Sequence, residues 1–262
     1  MDLELTGKVA LVTAASKGLG RATARQLAAE GARVMISSRD EQQLAATAAE
    51  ISAATGAEVR HVAADVSKAD DLDRLLEQTQ AQLGGVDVLV NNAGGPRPGG
   101  FDDLDDADWQ GAFELNLLSS IRLFRGVLPY MRQQGSGRIA TIASSSTKQP
   151  IDDLLLSNTY RVALVGLSKS VSTEMAPYGV LVNTVGPGRI ATDRVASMDA
   201  IRAAKSGQTI EQVRTQTEKG IPLGRYGTAE EFAKVVTFLV SGANTYLTGQ
   251  SLLVDGGMVR AL

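Results

Sequence analysis

The chain has no cysteine, which excludes disulfides, thiolate metal sites and a cysteine nucleophile. It has one histidine, His61, so a multi-histidine metal site cannot form and a Ser-His-Asp triad would have to be built around that residue. His61 lies in an alternating run at 58–62, a strand pattern in which a structural or surface role is the simpler reading. No metal site is therefore expected. Charge of one sign is also scarce: the net charge is −3 with no basic stripe, which argues against nucleic acid and anionic membranes as partners. The longest apolar runs, such as 86–90, are of strand length and far short of a membrane span. The first four residues, Met-Asp-Leu-Glu, are acidic and lack the positive region of a secretory leader. A cytoplasmic setting is the expectation.

What is present is ordinary globular composition: 262 residues, 44% apolar and 21% charged, which suits one large α/β domain. Short apolar runs alternate with amphipathic stretches. Strand patterns fall at 8–13, 33–37, 58–63, 86–91, 138–143, 180–185 and 251–254. Helical patterns fall at 21–30, 40–54, 70–83, 106–133, 155–176 and 229–241. This rhythm specifies βαβ units with right-handed crossovers and a parallel sheet covered on both faces. No repeat, low-complexity tract or linker divides it, so one domain is expected over 1–262. The stretch 188–227 departs from the rhythm, with helical pieces near 196–204 and 210–219. An insertion of that length inside a compact domain is expected to be a substrate lid or binding loop.

Between the first strand and first helix runs Thr13, Ala14, Ala15, Ser16, Lys17, Gly18, Leu19 and Gly20. Gly18 and Gly20 let backbone approach a pyrophosphate, and the helix N-terminus offers unpaired N–H groups. The bland alternative is a tight turn that merely packs helix on strand. Arg39 follows the second strand, where an adenosine ribose would lie; with Lys17 it could clamp a 2′-phosphate and favour NADPH over NADH, or both could be solvated basic residues. Asp65, followed by Val66, ends the third strand and suits hydrogen bonding to adenine. Asn91, Asn92, Ala93 and Gly94 end the fourth, at the carboxyl edge where ligands of doubly wound sheets bind.

These motifs together resemble the short-chain dehydrogenase/reductase family, over about 5–257. The family's Thr-Gly-x-x-x-Gly-x-Gly turn corresponds to Thr13 to Gly20, its Asn-Asn-Ala-Gly to Asn91 to Gly94, and its helix-four asparagine to Asn116. The stretch 183–192 is similar to the family's Pro-Gly segment, with Pro187, Gly188, Ile190 and Thr192 placed against the nicotinamide carboxamide. The segments 222–225, 248–250 and 255–257 resemble its closing motifs. The resemblance implies a doubly wound Rossmann-type sheet of about seven strands in the order 3-2-1-4-5-6-7 with helices on both faces. It also implies a nicotinamide coenzyme and a homotetramer or dimer assembled through the long helices and the last strand. One departure lies in the turn, where Ala14 replaces the family's first glycine; a methyl group is tolerated there at negative φ and costly at positive φ.

The family's chemistry uses a serine, a tyrosine thirteen residues on, and a lysine four beyond that. Counting from Ser144, those positions fall on Ser157 and Arg161, and aligning backward from the Gly-Leu-Ser-Lys at 166–169 gives the same two residues. Arginine can take over lysine's electrostatic and ribose-binding duties but is a poor proton shuttle. A serine hydroxyl is a weaker acid than a phenol and would serve better as a relay. Tyr160 lies one helical turn from Ser157 and could reach the pocket, or could serve packing. Asn116 could polarise a carbonyl, or hold helix backbone and a water. Asp152 and Asp153 are expected to cap the helix that carries Ser157, with a catalytic base as the alternative. Lys148 and Arg97 are either pocket cations or solvated loop residues. Trp109 and Phe113 read as core or interface.

Three functions are compatible with this pattern. The leading one is an NADPH-dependent carbonyl reductase resembling 3-oxoacyl reductases, acting on a small or carrier-linked substrate with an atypical site of Asn116, Ser144, Ser157, Tyr160 and Arg161. The others are a nucleotide-binding protein without turnover, and a non-redox lyase or dehalogenase on the same scaffold. The last is similar to halohydrin dehalogenases, which keep an arginine but discard the nucleotide motif.

Overall fold

The structure, a computed structural model, describes residues 1–261. Among these residues seven strands form one parallel sheet: β1 Val9–Val12, β2 Arg33–Ser38, β3 Val59–Ala63, β4 Val88–Asn91, β5 Gly137–Ile142, β6 Val180–Pro187 and β7 Ser251–Val254. Their order is β3-β2-β1-β4-β5-β6-β7, as the family resemblance implies. The first strand pairs with β2 through Ala10↔Val34 and with β4 through Ala10↔Val88, so the chain reverses its direction of winding between β1 and β4. That reversal opens a crevice at the carboxyl ends of these two strands.

Burial on both faces explains why the central strands β1 and β4 read as continuous apolar runs, whereas the edge strand β3 alternates. In β1, Ala10 and Val12 face one core cluster, packed against helices α1 (Gly18–Ala29), α2 (Glu41–Thr55) and α9 (Ala229–Leu239). Val9 and Leu11 face the other, against α3 (Ala69–Leu83), α5 (Ser119–Gln134) and, through Leu167 and Val171, α6 (Leu155–Met175). Each fully buried Leu or Val contributes about 1.5–3 kcal/mol, so the β1–β4 centre, buried on both faces, is the most firmly held part of the crevice.

Two expectations need correction. The single helix expected over 106–133 is divided into α4 (Asp106–Ala112), a six-residue π-helical segment Phe113–Leu118, and α5. The hydrophobic pattern runs through all three, so nothing in its period marks the widened turn; such insertions cluster at functional sites. The expected caps of α6 do not form: Leu154 occupies the N-cap without a side-chain bond. Asp153 instead turns outward at φ 59° and pairs with Lys205 Nζ at 3.0 Å, while Asp152 is exposed.

The segment over 188–227 carries α7 (Asp193–Ser206) and α8 (Ile210–Lys219). A parallel bridge between Ile190 and Gly227 closes its base. Inside it the buried Asp199 accepts from the Tyr226 hydroxyl at 2.9 Å and lies 3.5 Å from Arg189. His61 lies in β3 with Nε2 3.0 Å from Glu41. No helix among the described residues is long and apolar enough to cross a membrane.

Candidate functional site

The crevice floor is knitted by side chains from both strands. Thr13 Oγ1 donates to the Asn92 carbonyl at 2.7 Å and accepts from Asn92 N at 2.9 Å, while Asn92 Nδ2 reaches the Ala14 carbonyl at 3.2 Å. Between them the turn leads into α1, whose N-cap, Lys17, makes no side-chain cap. The first-turn N–H groups are therefore left without a side-chain acceptor, the arrangement that receives a phosphate. Gly18 has φ 58°, and a Cβ on Gly20 would stand 2.9 Å from Ala15 Cα. Gly20 is sterically required, and Gly18 holds a left-handed angle that favours glycine.

Ala14 adopts φ 48°, so the methyl group that the family's glycine would lack is carried in the left-handed region. Ala15 turns away from the crevice: its side chain is in the core and its N–H is taken by the Ser37 carbonyl at 2.9 Å. It shapes the turn and offers the crevice no side-chain group. Ser16 and Leu19 are half-buried in the turn. Arg39 is exposed at the end of β2. Asp65 accepts from Ser67 N and Ser67 Oγ through one carboxylate oxygen, and Val66 beside it is buried. The N-terminus of α7 folds over the glycine turn, with Thr192 Cγ2 3.8 Å from a Cβ position on Gly18 and Lys17 Nζ 3.9 Å from Asp193. Gly188 donates its N–H to Val254, and Ile190 is buried.

At the far side of the crevice Arg161 is 5% exposed. Its Nη1 donates to the Ile142 carbonyl at 2.9 Å, and its Nη2 to the Ala93 and Gly94 carbonyls, each at 3.3 Å. One guanidinium thus ties the ends of β4 and β5 to α6. Burial, then the nearby Arg194 guanidinium, pushes its pKa down to about 10, still charged at neutral pH. The Gly94 carbonyl also receives Asn116 Nδ2 at 2.9 Å, and the Asn116 Oδ1 is buried without a partner. The π-helical turn positions this asparagine against the β4 loop. Ser144 follows β5 and its hydroxyl accepts from Ser146 N at 3.0 Å. Ser157 lies one turn before Arg161 on α6, 8% exposed.

Several anticipated pocket residues point elsewhere. The Tyr160 hydroxyl donates to the Trp109 carbonyl at 3.1 Å, and its ring lies 5.9 Å from the Trp109 ring and 6.2 Å from that of Phe113. Arg97 donates to the Asp103 carbonyl and pairs with Asp108. Lys148 is exposed. Sequence reasoning missed Arg194, two residues past Thr192 in the Pro-Gly segment; that spacing was its only signal. Its guanidinium lies against Gly95, 2.9 Å from a Cβ position there, and donates to the Pro96 carbonyl at 3.0 Å.

Residues 13–259 match the family model described as enoyl-(acyl carrier protein) reductase. The chain is 37% identical over 257 residues to the 3-oxoacyl-(acyl-carrier-protein) reductase of Escherichia coli (strain K12), covering 98% of this chain and 99% of that one. It is 34% identical over 266 residues to an oxidoreductase of Bacillus subtilis (strain 168), covering all of both. Among solved structures, L-sorbose reductase from Gluconobacter frateurii, complexed with NADPH and L-sorbose, superposes with a TM-score of 0.95 at 33% identity over the full length of both chains. With the glycine turn, the strand order and these full-length matches in place, the chain belongs to the short-chain dehydrogenase/reductase family.

Proposed function

We propose that the protein is an NADPH-dependent carbonyl reductase whose site departs from the family's tyrosine and lysine. The observation that carries this reading is Arg161. At the position counted for the family's lysine, it holds a buried guanidinium between the ends of β4 and β5, on the helix that also presents Ser157.

The crevice fits a dinucleotide. The uncapped first turn of α1, with Gly18 and Gly20 admitting close approach, would take the pyrophosphate along with Thr13, Ser16, Lys17 and Leu19. Arg39 and Lys17 would take the 2′-phosphate, Asp65 and Val66 the adenine, and Asn92, Ala93 and Gly94 the middle of the coenzyme. Arg161 would serve the nicotinamide ribose, and Pro187, Gly188, Ile190 and Thr192 the carboxamide. The bound coenzyme supplies the hydride.

The chain's own task is then the substrate oxygen. As hydride reaches the carbonyl carbon, the oxygen becomes an alkoxide and takes one proton to give the alcohol. Ser144 donates a hydrogen bond to that oxygen, and the buried Arg161 cation stabilises the developing charge. One well-placed donor of this kind is worth about 10²–10³ in rate. A general acid adds roughly 10²–10⁴, and Ser157 cannot match a phenol in that role. It relays a proton from water instead, while Tyr160 holds α6 against α4. Turnover is accordingly slower than with a tyrosine acid. The helices α4 to α6 and the open edge of β7 serve as homo-oligomer faces, to be checked by sedimentation.

The test is deuteride transfer from 4-deuterated NADPH into a panel of oxo compounds, run beside a binding titration of NADPH. Deuterium in the product alcohol of at least one substrate is expected, with Ser144→Ala lowering its rate. Tight NADPH binding with no deuterium transferred would replace this reading with a nucleotide-binding protein without turnover.

A further inference from the structure

Arg161 is buried, yet it meets only carbonyls. It forms no ion pair among the described residues, and four carboxylates on the surrounding elements are paired with other cations. Asp193 pairs with Lys17, Asp108 with Arg97, Asp153 with Lys205, and Asp199 with Arg189. A second guanidinium stands beside it. Arg161 binds the carbonyls of Ala93 and Gly94, while Arg194 rests on Gly95 and binds Pro96. Two cations therefore flank one four-residue loop at the end of β4, also without an ion pair for Arg194 among the described residues. Like charges repel, and the buried Arg161 cation without an anion is costly, whereas the exposed Arg194 keeps its contact with solvent. Carbonyl dipoles offset part of that cost and leave the net charge in place.

We propose that the substrate of this reductase is an oxo acid whose carboxylate is received by Arg194, with Arg161 adding to the field. The proposal rests on the reductase reading above and names its substrate class. An incoming carboxylate supplies the missing negative charge. The planar fork of Arg194 can take it through two parallel N–H bonds. Its oxo group is then directed toward Ser144. Arg194 sits on α7, in the segment that folds over the glycine turn, so the same contact draws that segment closed over substrate. The inserted stretch 188–227 thus selects for charge as well as covering the site.

The experiment uses 2-oxo, 3-oxo and 4-oxo carboxylic acids, each paired with its methyl ester, and compares kcat/KM within each pair. For at least one pair the acid is expected to lead its ester by about tenfold to a hundredfold, the range for a charge-assisted hydrogen bond. Arg194→Gln should collapse that ratio toward one, and Arg194→Lys should restore part of it. In parallel, calorimetry follows binding of the same acids to the NADPH complex, which reads the carboxylate site whether or not hydride moves. Acid binding lost in Arg194→Gln without turnover of any pair would support the anion site and sink the reductase reading. Equal kcat/KM for acids and esters would sink the anion site and leave the reductase standing. An unchanged acid-to-ester ratio in Arg194→Gln with a raised KM for NADPH would assign the arginine to a coenzyme phosphate instead, and overturn the proposal.

Discussion

Replacing Ala14 by glycine tests whether the coenzyme turn is strained. Ala14 has φ 48°, and holding an L-residue with a Cβ in that region costs about 1–2 kcal/mol. Glycine removes the strain but gives the unfolded chain more freedom, which opposes the gain by about 0.4–1 kcal/mol. It also forfeits burial of a half-exposed methyl, less than the roughly 0.8 kcal/mol of a fully buried one. The balance lies between about −0.8 and +1.6 kcal/mol, centred on a small net gain of about +0.4 kcal/mol. In an unstrained turn at negative φ the same substitution would destabilise, by roughly 0.5–1 kcal/mol for flexibility alone. The central values of the two cases therefore differ in sign. For a chain of this size 1 kcal/mol moves Tm by about 2–4 °C. Differential scanning fluorimetry on Ala14→Gly should show Tm unchanged or raised by up to a few degrees. Ala14→Val, which adds a β-branch to the same backbone, should lower it clearly. A fall of several degrees in the glycine variant would refute the strained turn.

Three further outcomes bear on the site. Tyr160→Phe should leave kcat within about twofold while costing roughly 1 kcal/mol of stability from the lost bond to the Trp109 carbonyl; a hundredfold loss of kcat would make this phenol the proton donor. The kcat/KM for reduction should be flat between about pH 6 and 9, since a serine does not titrate there. Arg161 loses its charge only as pH rises through about 10, so the rate should decline beyond that point, and a break near neutrality would expose a different acid. Arg39→Ala should reduce the preference for NADPH over NADH by about tenfold or more if this exposed side chain grips the 2′-phosphate; equal loss with both coenzymes would remove it from that role.

Much of the scaffold is legible in the sequence. Seven short apolar runs separated by helical patterns fall on the seven observed strands, and 251–254 matches β7 to the residue. Strands buried on both faces leave a strong continuous signal, and turn glycines mark where the backbone needs special angles. The position of Arg161 could be counted from either end of its segment. Side-chain direction could not be read in this way. Tyr160 and Ser157 stand three residues apart on one helix, and helical spacing alone allows both to share a face. Only the packing of α4 against α6 draws the Tyr160 hydroxyl to the Trp109 carbonyl.

The order of residues by itself determined the alternating α/β rhythm and the placement of the glycine turn after the first strand, because these depend on periodicity and spacing along the chain. Tertiary structure alone decided the π-helical turn that brings Asn116 to Gly94, the left-handed Ala14, the ion pair that takes Asp153 from its expected cap, and the meeting of Arg161 with Arg194 around one loop. Those depend on how segments distant in sequence press against each other, and on which charges are already neutralised when they do.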